Sequence, residues 1–156
     1  ECVSVIYGSD DFGFKTSLLI DPGNLRRLFL PWHKRYAEIA HAHGKLYFLH
    51  SCGKVDELMD DFIDDIGADA KHSFEDVIVP VTEAKRRWGD RIALLGGVDV
   101  DLLARGEEAA IRRRSREILD SCMPGGGYCF GVGNWVTSYI PLQSYLVLLD
   151  EARRYR

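Results

Sequence analysis

The chain has 156 residues, a length that fits a single domain. Apolar residues make up 46% of it and charged residues 28%, which is ordinary for a folded globular protein. The net charge of −4 argues against a nucleic-acid partner, because such proteins usually carry a basic face. One basic cluster, Arg112–Arg114 with Arg116, has acidic neighbours, and we interpret it as a solvated helix face.

The cysteine content and the hydropathy pattern bear on the compartment. Four cysteines occur, and no secretory signal is recognised, so we interpret Cys2, Cys52, Cys122 and Cys129 as free thiols. No apolar run approaches the roughly 18 residues of a membrane span. We therefore expect a cytoplasmic protein without a membrane partner.

Strand and helix patterns alternate along the chain. A β-branched apolar run predicts a first strand over Val3–Tyr7. Asp21 as N-cap and Pro22 then open a helical stretch, in which Pro31 predicts a break into two helices. The later predicted elements are, in order, a strand over Lys45–Leu49, a helix over Val55–Ile66, a strand over Ala68–Lys71, a helix over Val79–Trp88, a strand over Arg91–Leu95, a short helix over Val100–Ala104, a helix over Glu107–Cys122, a strand over Gly127–Phe130 and a helix opened by Pro141.

About five consecutive βα units predict a parallel sheet covered by helices, which is the α/β class. An open doubly wound sheet and a closed barrel both satisfy this alternation. No Gly-x-Gly-x-x-Gly motif opens the first helix, so the dinucleotide-binding interpretation loses its main support. A TIM barrel needs eight such units. Five units leave two edge strands with unpaired backbone groups. This is unfavourable for a free monomer and indicates a homo-oligomer or another partner.

Polar or glycine-rich residues follow each predicted strand. The turns that lead from a helix into the next strand have no comparable residues. In a parallel barrel the loops after the strands share one face, where active sites are found, so we expect an enzyme with a small-molecule substrate. Asp10 and Asp11 follow the first strand and are candidates for substrate binding or for an acid/base pair, because adjacent carboxylates can raise a pKa. A cap or turn role is the alternative for both.

The loops after later strands supply further candidates. Glu75 is a candidate metal ligand, proton carrier or substrate anchor, with a helix-capping charge as the alternative. Asp99 is a candidate substrate residue or the N-cap of the short helix. Asn134 follows Gly131-Val132-Gly133, where the backbone can approach a ligand closely.

His50 and Cys52 are the most specific candidate metal ligands in the sequence. Residues two apart on an extended segment point the same way, so their side chains can bind one Zn²⁺. The alternative is a partly buried histidine beside an ordinary buried cysteine.

Several runs together resemble the uroporphyrinogen decarboxylase superfamily: Leu49-His50-Ser51-Cys52-Gly53, Ile66-Gly67-Ala68-Asp69, Gly89-Asp90-Arg91-Ile92-Ala93-Leu94-Leu95-Gly96-Gly97-Val98-Asp99 and Gly125-Gly126-Gly127-Tyr128. The resemblance covers essentially the whole chain. It implies a TIM (β/α)8-barrel fold, in which residues 1–156 are the C-terminal part of the barrel domain with about five βα units. A start at Glu1-Cys2-Val3, without an initiator Met, agrees with this expectation.

The resemblance implies two chemistries. Uroporphyrinogen decarboxylases act without a cofactor and have Gly-His-Gly in the last loop, where this chain has Gly131-Val132-Gly133. Zinc-dependent methyltransferases move a methyl group between a corrinoid and a thiol, and His50-Ser51-Cys52 matches their His-x-Cys pair. Their further cysteine is replaced by Asn134, while Cys129 lies earlier, within the predicted strand.

Our leading hypothesis is therefore a zinc-dependent methyltransferase-like enzyme, with zinc as its cofactor and the corrinoid carried on a partner protein. The first alternative is a decarboxylase of porphyrin metabolism. The second is a barrel fragment that acts as a non-catalytic pairing module.

Overall fold

The computed structural model describes residues 2–155, and these form two compact units. The first unit contains the residues up to 72 together with 91–93. Its elements are β1 (Val5–Ser9), α1 (Pro22–Leu28), α2 (Leu30–Ala42), β2 (Leu46–His50) and β3 (Ala70–His72). The second unit contains 73–90 and the residues from 94 onward. Its elements are α3 (Val81–Trp88), most of β4 (Ala93–Leu95), α4 (Val100–Arg105), α5 (Glu108–Cys122), β5 (Tyr128–Cys129) and α6 (Leu142–Arg154).

The strands of the first unit are parallel and end level with one another. Ser9 at the end of β1 pairs with His50 at the end of β2, and His50 pairs with His72 at the end of β3. Tyr47 and Leu49 of β2 are fully buried, so the strand is anchored in the apolar core. The register therefore brings three polar strand ends into one row.

The helical stretch after β1 divides where the sequence predicts. The Asp21 carboxylate accepts the Asn24 N–H at 3.0 Å, and Pro22 occupies the first helical position. Phe29 separates α1 from α2, and Pro31 is the second residue of α2, where its missing donor costs no helical hydrogen bond. Both the predicted cap and the predicted break are confirmed.

The predicted helix over Val55–Ile66 is confirmed, and its type changes along the segment. The segment contains a 3-10 turn over Asp56–Leu58 and a π-helical turn over Asp61–Asp65. The Ile66 N–H reaches back five residues to the Asp61 carbonyl at 2.9 Å, which closes the wider turn. Apolar spacing buries Phe62 in either helix type and so does not distinguish them.

Strand boundaries shift by up to two residues from the predicted ones. The first strand is Val5–Ser9 rather than Val3–Tyr7, because Gly8 and Ser9 continue the pairing with β2 instead of opening the loop. The third strand extends to His72, and the fifth is reduced to Tyr128–Cys129. Strand ends depend on pairing partners, which sequence periodicity does not contain.

In the second unit β4 pairs in parallel with β5, and a parallel bridge joins Val98 to Val132 beyond them. Helices α5 and α6 are joined by ion pairs: Arg112 and Arg116 of α5 both bind Glu151 of α6, which is only 5% exposed. Arg114 binds Asp76. The predicted solvated face of α5 is therefore largely a set of tertiary ion pairs.

None of the helices within residues 2–155 combines the length and the apolar character needed to cross a membrane.

Candidate metal centre

The loops after β1 and β2 run side by side and continue the pairing of the two strands. The Asp10 N–H donates to the His50 carbonyl at 3.1 Å, and the Gly13 N–H donates to the Cys52 carbonyl at 3.2 Å. Between them, the Phe12 N–H donates to the buried Ser51 Oγ at 3.1 Å. These bonds fix the 10–13 segment against residues 50–52.

Two glycines allow this close approach. Gly53 has φ +81, a left-handed conformation that side chains rarely adopt, and a Cβ there would collide with the backbone of Gly13. A Cβ at Gly13 would come within 2.7 Å of the Lys54 nitrogen. The sequence thus places glycine at both positions where the loops touch, and Asp11 lies beside Cys52 as a result.

Asp11, His50 and Cys52 form a group whose potential ligand atoms all lie within 4.8 Å of one another. The His50 Nε2 atom is 3.3 Å from Cys52 Sγ and 3.6 Å from Asp11 Oδ1. Asp11 Oδ1 also accepts the Cys52 N–H at 2.9 Å. The His50 side chain is 1% exposed and that of Asp11 is 56% exposed, so the group is anchored in the core and open toward solvent.

This donor set fits zinc. An imidazole nitrogen, a thiolate and a carboxylate are the three ligand types that zinc takes in proteins, and catalytic zinc sites use three protein ligands with one position left for water or substrate. The sequence pairs His50 with Cys52 as ligands and assigns Asp11 to substrate binding. The structure brings all three together, so Asp11 becomes the candidate third ligand.

His50 is held in the neutral form that binds metals. Its pKa is lowered from 6.5 to about 4, mainly by burial and then by the adjacent His72; Asp11 opposes this shift, and Lys71 adds a smaller lowering. At neutral pH the ring therefore carries one proton and one free lone pair, as a metal ligand requires.

His72 and Tyr7 lie next to the centre and are missing from the sequence-based candidates. The His72 and His50 Nδ1 atoms are 2.7 Å apart, and the Tyr7 ring meets that of His72 edge-on at 6.5 Å. Burial raises the pKa of Tyr7, and the charge of Cys52 adds to the shift. His72, like His50, is a histidine at the end of a strand, and this position could have identified it as a candidate. The predicted third strand ends at Lys71, one residue before His72.

Asp10 takes part in a different network. Its carboxylate contacts His33 Nε2 at 2.9 Å, and His33 Nδ1 contacts the Tyr47 hydroxyl at 2.6 Å. His33 is 2% exposed, so this network is anchored in the core. Burial, followed by the charge of Asp10, raises the pKa of Tyr47. Asp10 thus ties the loop to α2, and its predicted substrate contact stays a prediction.

The remaining predicted residues lie in the second unit. Asp99 caps α4, since its Oδ1 accepts the Asp101 N–H at 2.7 Å, and its Oδ2 accepts the Asp76 N–H at 3.0 Å. The Asn134 Oδ1 accepts the Trp135 N–H at 2.8 Å. The Glu75 backbone carbonyl accepts the N–H groups of Ile78 and Val79, at 3.0 Å each.

The capping alternative for Asp99 is observed, whereas the one for Glu75 is not. The N-cap of α3 is Pro80, without a side-chain cap bond. Cys129 is exposed on β5, and Val132 in the loop that follows it is 8% exposed. Substrate roles for Glu75, Asp99 and Asn134 stay predictions.

Comparison with known proteins identifies the family. The family model for uroporphyrinogen decarboxylase (URO-D) matches residues 4–155, so the chain belongs to this family. A uroporphyrinogen decarboxylase from Cupriavidus pinatubonensis is 40% identical over 94 residues, which cover 58% of this chain and 25% of the relative. A second, from Cupriavidus necator, is 39% identical over 94 residues with the same coverage. The matched part thus spans a quarter of the length of these relatives.

A solved methyltransferase from Methanosarcina mazei has a similar fold, with a TM-score of 0.76 and 22% identity. The match covers 96% of this chain and 42% of the other. Together with the parallel strands and alternating helices, it confirms the predicted class: an α/β fold of the TIM-barrel type with about five βα units. The named relatives of this family are decarboxylases, and the methyltransferase is similar in fold.

Proposed function

We propose that this chain contains the zinc site of a methyltransferase that moves a methyl group from a corrinoid to a thiol. The observation that carries the proposal is the convergence of Asp11, His50 and Cys52 within 4.8 Å. This set of potential metal ligands supports a zinc enzyme over a decarboxylase that needs no cofactor.

Each residue has a defined task in this proposal. His50 and Cys52 hold the metal from the end of β2, and Asp11 holds it from the loop after β1. Zinc, when bound, lowers the pKa of a thiol that joins it, so that the substrate ionises near neutral pH. Because the Asp11 side chain is 56% exposed, the substrate would approach from its side, while His50 is buried at 1% exposure.

His50, Cys52 and Asp11 would hold the zinc that ionises the thiol. In the transfer a sulfur–methyl bond would form and the bond between the methyl group and the corrinoid donor would break; its electron pair would stay with the corrinoid, and the thiol proton would leave to solvent. A partner protein carries the corrinoid in this proposal, and the substrate is a small thiol.

Loss of methylcobalamin absorbance in the presence of a thiol tests the proposal. We expect methylcobalamin to lose its methyl group to the thiol, which becomes a thioether, only when zinc is present. Cys52→Ala should lose this activity. The control is Cys129→Ala, which removes an exposed thiol from the other unit and should keep the activity. Equal rates with and without zinc, or equal rates in both variants, would refute the proposal.

A decarboxylase is the second candidate, because the named relatives at 40% and 39% identity are uroporphyrinogen decarboxylases. Val132, which stands where the decarboxylases have a histidine, speaks against it, since a buried valine cannot donate or accept a proton. The test is incubation with uroporphyrinogen, for which we expect no release of carbon dioxide. Measurable turnover would favour the decarboxylase over the methyltransferase.

A further inference from the structure

His50 and His72 form a buried pair at the row of strand ends. They are register partners in β2 and β3, and their side chains are joined by a contact of 2.7 Å between the two Nδ1 atoms. His50 is 1% and His72 is 8% exposed, so water does not compete readily for this contact. The ring centroids are 4.9 Å apart, with 44° between the planes.

A contact between two imidazole nitrogens at this distance needs one proton between them, because one nitrogen must donate and the other accept. If His72 donates, neutral His50 carries its own proton on Nε2, and that atom cannot ligate a metal. If His50 donates from Nδ1, its Nε2 lone pair is free and faces Cys52 Sγ at 3.3 Å and Asp11 Oδ1 at 3.6 Å.

We propose that His72 is a positioning residue that accepts the His50 Nδ1–H and so keeps the Nε2 lone pair of His50 open toward Asp11 and Cys52. The inference rests on the proposed zinc site. Histidines that bind metals commonly donate their other ring N–H to a fixed acceptor, which sets both tautomer and ring orientation. His72 itself turns its Nδ1 toward His50, so it supports the ligand and is not part of the ligand group.

The backbone holds His72 in place for this task. The Ser51 N–H donates to the His72 carbonyl at 2.7 Å, which ties the end of β3 to the segment between the two ligands His50 and Cys52. The edge-on Tyr7 ring packs against the imidazole of His72 from β1. His72 is thereby held by one contact from β1 and one from the segment that follows β2.

Two variants separate the hydrogen bond from simple packing. His72→Asn keeps an acceptor oxygen near the position of Nδ1, whereas His72→Leu fills the space without one. We expect zinc affinity, measured by competition with a chromophoric chelator, to fall about 10- to 100-fold in His72→Leu and to stay near wild type in His72→Asn. His43→Leu is the control, since the ring of His43 is exposed and bonds locally to the Ile39 carbonyl.

Nitrogen-15 shifts of the imidazoles in the metal-free protein supply a readout that does not depend on zinc. We expect a proton on Nδ1 of His50 and none on its Nε2. A proton on Nε2, or equal zinc affinity in His72→Leu and wild type, overturns the positioning role. Absence of zinc binding in the wild type would instead overturn the proposed zinc site, and the nitrogen shifts would still decide which histidine donates.

Discussion

Asp10 and Asp11 are neighbours in the chain, yet their carboxylates have different surroundings. Asp10 contacts the buried ring of His33, while Asp11 lies against the Cys52 N–H and near His50 Nε2. The segment continues the pairing of β1 with β2, and along a paired segment successive side chains turn to opposite sides. Only Asp11 is in the candidate metal centre.

Substitution of the two aspartates should therefore have different effects. Asp11→Asn removes a charged ligand, and we expect zinc affinity to fall by at least the roughly 10- to 100-fold that loss of an outer partner of a metal ligand costs. Asp10→Asn is the matched control and should leave zinc affinity unchanged, because its partner is His33. Calorimetric titration with zinc measures both, and equal losses would contradict the assignment of Asp11.

The buried state of His50 predicts a pH effect on the stability of the metal-free protein. Its pKa is about 4 in the folded state and 6.5 in the unfolded chain, so the unfolded chain binds the proton first as pH falls. Stability from this group is present above pH 6.5 and is lost as pH falls toward 4, on the order of 3 kcal/mol in total.

Urea unfolding in the presence of a chelator, at several pH values, measures this effect. His50→Gln should flatten the fall in the free energy of unfolding over that range, because the variant has no group to titrate there. His43→Gln is the matched control, since it replaces an exposed histidine outside the candidate centre. A wild-type slope equal to that of His50→Gln would show that His50 does not titrate as described.

The sequence predicts part of the centre at this scale. His50 and Cys52 are recognisable because a two-residue spacing on an extended segment is local information. Asp11 is visible as a polar residue after a strand, but its partnership with Cys52 spans 41 residues and depends on strand register. His72 depends on the same register, so its pairing with His50 needs the sheet.

At the scale of elements, the candidate centre depends on how closely two loops approach. The 10–13 segment lies against residues 50–53, and Gly53 has no space for a Cβ. The order of helices and strands was predictable, since hydrophobic periodicity and caps are local signals. The contact between the loops was not, because it depends on which strands become neighbours.

Gly53→Ala should be costly for two reasons. A side chain at φ +81 is strained by about 1 kcal/mol or more, and the added methyl group would push Gly13 and its loop away from Cys52. Gly44→Ala is the control, since Gly44 has φ +65 and nothing lies within 4 Å of its Cβ position. We expect both variants to lower the melting temperature and only Gly53→Ala to weaken zinc binding. Equal zinc affinity in the two variants would show that zinc binding does not depend on the contact between the loops.

At the scale of the whole molecule, the first unit exposes an apolar strand. In the strand order of the sheet β1 stands at one end, and Ile6 and Tyr7 on it are 42% and 43% exposed. The α2 residues Trp32, Tyr36 and Ile39 are also exposed, at 64%, 49% and 46%. An edge strand with exposed apolar side chains favours pairing with another chain.

The 156-residue chain, when produced by itself, should therefore associate in a concentration-dependent way. Ile6→Lys places a charge on β1, and we expect it to shift sedimentation toward the monomer, because an edge lysine opposes strand pairing. Leu142→Lys is the control, since Leu142 is 71% exposed but begins α6 in the second unit. A wild-type chain that sediments as a monomer at all concentrations would contradict this prediction, and also the non-catalytic pairing alternative.

The central claim is that Asp11, His50 and Cys52 bind one zinc ion, and X-ray absorption at the zinc edge on the reconstituted protein tests it most directly. We predict one zinc per chain, with one sulfur ligand at about 2.3 Å and the remaining ligands nitrogen or oxygen at about 2.0–2.2 Å. The sulfur contribution should disappear in Cys52→Ala and persist in Cys129→Ala. Zinc bound with no sulfur ligand, or no zinc retained after reconstitution, would contradict the account.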